Sequence, residues 1–137
     1  MAFLLIFLLG VISGARTFTG PAVLWLMRHR GPLAYVLGAA ALFEYFYDVN
    51  PKARPRTGTP SLIVRLLSGA FVGWWGAVAA GVSAPAGAIV AAIGAFGGAY
   101  ATFATRRLCI TAMGNVAAGL LEDLVAIVAA AAIVSWL

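Results

Sequence analysis

A chain of 137 residues that is 64% hydrophobic and only 9% charged carries more apolar side chain than a soluble core of this size can hide. With a mean hydropathy of +1.02 it reads instead as a polytopic integral membrane protein, one transmembrane domain over residues 1–137. The net charge of +5 does not point to nucleic acid, because the basic residues cluster at the ends of apolar segments, where they set topology, and no nucleic-acid motif accompanies them.

Five apolar segments follow in order, and continuous apolar runs leave helices as the spanning structure, so the fold class expected is all-α with four to five transmembrane helices. The first covers residues 2–27 and contains Gly14-Ala15-Arg16-Thr17-Phe18-Thr19-Gly20-Pro21. It is read as a broken membrane helix and not as a cleaved signal peptide, because no basic residue precedes the apolar stretch. Arg28-His29-Arg30-Gly31-Pro32 closes it. The second, residues 33–47, is short for a full span and leads into a polar stretch that ends Arg56-Thr57-Gly58-Thr59-Pro60. The third covers residues 61–82, and Ser83-Ala84-Pro85-Ala86-Gly87 makes an uncharged turn. The fourth, residues 88–105, ends at Arg106-Arg107, and the fifth covers residues 117–137. With five full spans, Lys52, Arg54, Arg56, Arg106 and Arg107 fall on one side and Arg28 and Arg30 on the other, which predicts a cytoplasmic N-terminus; a re-entrant segment, for which the short second one is the candidate, would void that count.

Two phrases share the order Arg, Thr, spacer, Thr, then Pro: one at Arg16, the other at Arg56. Thr before Pro, or before Gly-Pro, marks a helix start, with Thr as cap and Pro in the first turn. An arginine just before a helix N-terminus collects an anion together with the free N–H groups. The pair of phrases predicts an internal repeat whose two copies meet near the midplane.

Gly10 and Gly14, Gly69 and Gly73, and Gly94 and Gly98 are spaced for close helix approach, either within one chain or between subunits. Trp25 and Trp136 are placed to anchor at headgroups, and Trp74 and Trp75 lie deeper, against lipid or a partner.

The acids are Glu44, Asp48, Glu122 and Asp123, all in or beside apolar segments. Glu44 and Asp48 share a helix face, whereas the adjacent Glu122 and Asp123 point in different directions. Charge at membrane depth is costly and demands a partner or a wet cavity. The economical arrangement sets Arg16 and Arg56 against these acids, either as ion pairs that dock helices or as a polar pathway. Thr17, Thr19, Thr57 and Thr59 then line a binding site or cap helices. Nothing in the residue inventory argues for an enzyme. The single histidine, His29, sits between arginines, Ser68 lies in a small-residue stripe, and Cys109 alone makes neither a disulfide nor a zinc site. No metal or cofactor is expected, since the arginines beside the carboxylates oppose a cation.

Gly14-Ala15-Arg16-Thr17-Phe18 with Pro21, Glu44-x-x-x-Asp48 with Pro51-Lys52, Arg56-Thr57 with Pro60, Arg65-x-x-Ser68-Gly69, and Glu122-Asp123-x-x-Ala126 together resemble the signatures of small bacterial inner-membrane proteins catalogued as domain of unknown function 4126. The lysine here follows the proline. The resemblance implies a compact helical fold in the bacterial inner membrane and no particular activity.

The function expected is passage of a small anion or phosphate-bearing molecule. Arg16 and Arg56 supply charge, the four threonines supply hydroxyls, and the four acids brace the arginines or carry coupling protons. The alternatives are proton or cation movement through the carboxylates, and a non-transporting structural or accessory subunit. So few helices enclose little volume, so a homo-oligomer is expected, a dimer first, joined through its glycine-rich faces and surrounded by membrane lipid.

Overall fold

The computed structural model describes residues 1–49 and 58–137. They form six helices: α1 (Ala2–Ala15), α2 (Thr19–Arg28), α3 (Pro32–Val49), α4 (Thr59–Ala79), α5 (Ala84–Met113) and α6 (Asn115–Trp136). No strand occurs among the described residues, so the chain is all-α as expected. Three of the helices, α4, α5 and α6, are long and apolar enough to cross a membrane. Their outward faces are apolar: Ile63, Leu67, Ile89, Ile93, Leu120, Leu124 and Val128 are all exposed, as a lipid-facing shell requires.

The expected break in the first segment is present. Arg16 is extended (φ −134, ψ 109), which ends α1, and α2 begins three residues later. Its direction departs from the sequence reading. The segment does not continue across; α2 turns back along α1. Gly20 lies against the Leu9 carbonyl and the Ser13 side chain. Leu9 and Leu24 share one apolar cluster with Ala130 and Val134. At the far end of α2 the Arg28 guanidinium donates to the Val134 carbonyl (3.0 Å), while Leu137 packs on Ile6 and Ala77. The ends of the chain and the α2–α3 connection therefore share one end of the bundle, and Arg16-Thr17-Phe18 forms a tip deep inside it. Gly20 permits this closure, since a Cβ there would overlap Ser13.

The tightest packing joins α1, α4 and α5. The backbones of Gly10 and Gly14 meet Ala91 and Ala95, Gly94 and Gly98 meet Phe7 and Val11, and Gly69 and Gly73 meet Ala95, Ala91 and Gly87. All three glycine pairs are thus spent within one chain, which corrects their assignment to a subunit contact.

Two element ends also move. The turn after α4 falls at residues 80–83, with Gly81 at φ 68, and Pro85 sits in the first turn of α5. Arg106 and Arg107 do not end the fourth segment; arginine is a good helix former, and α5 runs on to Gly114, whose φ of 85 stops it. Between α1, α5 and the start of α6 a cavity of about 320 Å³ remains.

Candidate functional site

A helix break inside an apolar bundle leaves backbone groups with no partner in either half-helix: carbonyls at the end of α1 and N–H groups at the start of α2. Unpaired polar groups there cost several kcal/mol, of order 2–7, so the chain must answer both sets. It does so with two side chains from other helices. Arg65, on α4, donates from Nη1 to the carbonyls of Gly14 (2.6 Å) and Ala15 (2.7 Å). Glu44, on α3, accepts from the N–H groups of Thr17 (2.8 Å) and Phe18 (3.0 Å), one on each carboxylate oxygen. The two side chains also face each other, with Arg65 Nη2 3.6 Å from Glu44 Oε1. Ser61 Oγ accepts from Arg65 Nε (3.3 Å), and Ser68 donates to the Thr17 carbonyl.

Arg16 itself is 1% exposed and looks the other way, towards α6. It pairs with Asp123, and Glu122 Oε2 lies 3.8 Å from the same nitrogen. That nitrogen also sits 3.4 Å from the Gly119 carbonyl, to which it donates, and the guanidinium carbon lies 5.3 Å over the Tyr45 ring. Glu122 continues to Arg106 of α5 (3.5 Å), whose Nη2 donates to Asn115 Oδ1 (3.1 Å). Charge buried inside the bundle is tolerated because each group has an opposite charge beside it.

Several sequence expectations change here. Glu122 and Asp123 do not diverge; both reach the same Arg16 nitrogen, Asp123 closely and Glu122 at 3.8 Å. Threonine does not cap either helix. The N-caps are Phe18 and Gly58, neither with a side-chain cap bond. Thr19 is instead a first-turn residue whose hydroxyl shares a 2.8 Å hydrogen bond with the Tyr45 hydroxyl. Glu44 has taken the capping role, since a carboxylate answers two N–H groups at once and suits the positive end of a half-helix. Thr17 is buried at the tip, and Thr59 is exposed at the start of α4. Arg56 and Thr57 lie outside the described residues, as does the Asp48 side chain. The two copies of the repeat therefore differ in setting, Thr19 being 1% exposed.

Two arginines of the network, Arg65 and Arg106, were not singled out as site residues from the sequence. Arg65 sits four and eight residues before Gly69 and Gly73, on the face that packs inward, and that register is a usable signal. Arg106 continues the inward face of Ala95, Ala99 and Thr102. At the end of the bundle that holds the termini, His29 stacks near Trp25 (4.4 Å), and Trp25 packs on Phe71 (5.5 Å) and edge-on to Trp75 (5.3 Å). Trp75 is thus level with Trp25 and turned inward, whereas Trp74 is exposed.

Chemically, the tip is an anion site of the half-helix kind, two N–H donors with a guanidinium alongside, holding a carboxylate of the protein itself. Beyond it Arg16 connects this site, through Glu122, to the cavity that Ala15, Arg106 and Glu122 line. Comparison of the chain with family models, with curated proteins and with solved structures finds no match in any of the three.

Proposed function

We propose that this chain is a membrane transporter or channel for a small anion or a phosphate-bearing molecule, with the α1–α2 tip as its selective point. The observation that carries the reading is Glu44 seated on the N–H groups of Thr17 and Phe18 beside Arg65. Discontinuous membrane helices hold anionic solutes in this way. A permeant anion competes with Glu44 for the two donors. When Glu44 takes up a proton, the solute replaces it on the N–H groups, so one proton moves with one charge of solute. Arg65 from α4 faces Glu44, while the neighbouring Tyr45 lies under the Arg16 guanidinium, which pairs with Asp123 of α6. Arg16, Thr17 and Thr19 belong to the site, with Arg65 beside them; Arg56 lies outside the described residues.

The membrane arrangement belongs to the same proposal. At about 1.5 Å per residue, the 18 residues of α3 reach about 27 Å, close to a hydrocarbon layer of about 30 Å. We read α3 as a fourth span and α1–α2 as a re-entrant hairpin. The N-terminus then lies on the side of Arg28 and Arg30. The described ends of α3 and α4 that flank Lys52, Arg54 and Arg56 in the sequence lie on the opposite side, with Arg106 and Arg107. The charge bias is unchanged, but it now places the N-terminus outside the cytoplasm. The motif resemblance favours the bacterial inner membrane. A homodimer, formed through a face other than the glycine seam, completes the proposal.

The test is flux and binding with purified protein in sealed liposomes, with chloride, inorganic phosphate, a simple phosphate ester, protons and a metal cation offered in turn. Saturable anion flux that carries protons, and that Glu44→Gln uncouples or abolishes, is the expected result. Glu44→Gln is a cleaner variant than Arg16→Gln, which strands Asp123. Proton or cation flux with no anion requirement would move the reading to the carboxylates.

A second reading has its own observation. In the described network Arg16, Arg65 and Arg106 face Glu44, Glu122 and Asp123, three cations against three anions. Such balance suits a structural or accessory subunit. That reading predicts no flux for any solute, tolerance of paired neutral replacements, and co-purification of a larger partner.

A further inference from the structure

We infer that the cavity between α5 and α6 holds one acyl chain of an anionic phospholipid, with its headgroup at Arg106 and Arg107. The cavity measures about 320 Å³, at the small end of ligand-binding pockets. Its inner walls are apolar, Val11 and Ile12 from α1 and Ala126 and Ala129 from α6. Its polar residues gather towards one end, where Arg106 faces Glu122. Arg106 lies 22 residues along α5 from Ala84, about 33 Å of helix, so an α5 that enters the bilayer near Ala84 brings Arg106 to the opposite headgroup level. There Arg106 and the exposed Arg107 outnumber Glu122, and the local charge suits an anion.

The shape selects the occupant. A helix is about 10–12 Å across and does not enter a space of this volume, so a second copy of the chain is a poor fit. Water gains little against such walls. A single hydrocarbon chain fits, and at this depth the surrounding solvent is lipid. The inference stands apart from the transport reading, because lipid occupancy is read without any flux.

The experiment uses the full chain purified from vesicles of equal phosphatidylglycerol and phosphatidylcholine, with native mass spectrometry to count retained lipids. Cys109, the only cysteine and half-buried in the cavity wall, reports position through its rate of alkylation by N-ethylmaleimide. The expected result is one retained phosphatidylglycerol, favoured about fivefold over phosphatidylcholine, with Cys109 alkylated several-fold more slowly when it is bound. Val125→Trp and Thr105→Trp, both at exposed positions of the cavity wall, should expel the lipid without lowering thermal stability. Arg106→Gln, and the milder Arg107→Gln, should keep a lipid but lose headgroup preference. The inference is overturned if wild type retains no lipid or shows no preference for the anionic one, or if Val125→Trp retains as much. A Cys109–Cys109 cross-link between two chains that excludes lipid would overturn it too, in favour of a second copy.

Discussion

Arg65 and Arg16 are both buried arginines at one break in the first helical segment, yet their partners differ in kind. Arg65 holds two backbone carbonyls of α1 and lies beside the carboxylate that holds two backbone N–H groups at the start of α2. Arg16 holds chiefly side chains, Asp123 and through the same nitrogen Glu122, with one longer bond to the Gly119 carbonyl. Backbone partners cannot be exchanged, so the Arg65–Glu44 cluster makes the break possible. Side-chain partners can be replaced together, so the Arg16 cluster docks the tip on α6 and leads to the cavity. A charge inside a membrane bundle can therefore brace a fold or join two elements, and the chemistry of its partner tells which.

The comparison breaks most severely at Arg65. Arg65→Met leaves the Gly14 and Ala15 carbonyls and the Glu44 carboxylate without their cation, which should cost about 3–5 kcal/mol in denaturant unfolding of the purified protein. Arg65→Lys should recover only part of this, because an ammonium cannot fork across two carbonyls and a carboxylate as a guanidinium does. Arg16→Gln alone should cost about 3 kcal/mol by stranding Asp123, but Arg16→Met combined with Asp123→Leu should return to within about 1 kcal/mol of wild type. If the double variant is as unstable as the single, the two clusters do not differ in the way described. Glu44→Gln keeps one acceptor oxygen for two N–H donors and should cost about 1–3 kcal/mol, with flux affected far more than folding. Thr19→Val sharpens the lower bound: it removes only the bond to Tyr45, about 0.5–1.5 kcal/mol, and leaves both clusters in place.

Much of this was legible in the sequence. The break was marked by Arg16 and by Gly20-Pro21, and the acids had to meet a partner or a wet cavity because charge at that depth is otherwise too costly. The pairing was not legible. Arg65 lay inside an apolar run with no turn signal near it, and only its register with Gly69 and Gly73 pointed inward. The direction of α2 was hidden as well. A broken helix that continues and one that turns back have the same apolar pattern, and the φ and ψ of Arg16 and its neighbours decide between them.

The chain by itself determined the class of the protein: its apolar excess demands helices against a nonpolar surround, and its glycine spacing demands close approach of backbones. It also determined where the helix had to break. Only the tertiary structure decided what filled the break, that Glu44 and not a threonine answers the N–H groups, and that all three glycine pairs are spent on one seam. The reason is range. Periodicity and turn chemistry act over a few residues, whereas Glu44 and Arg65 reach Thr17 and Gly14 across 27 and 51 positions of chain.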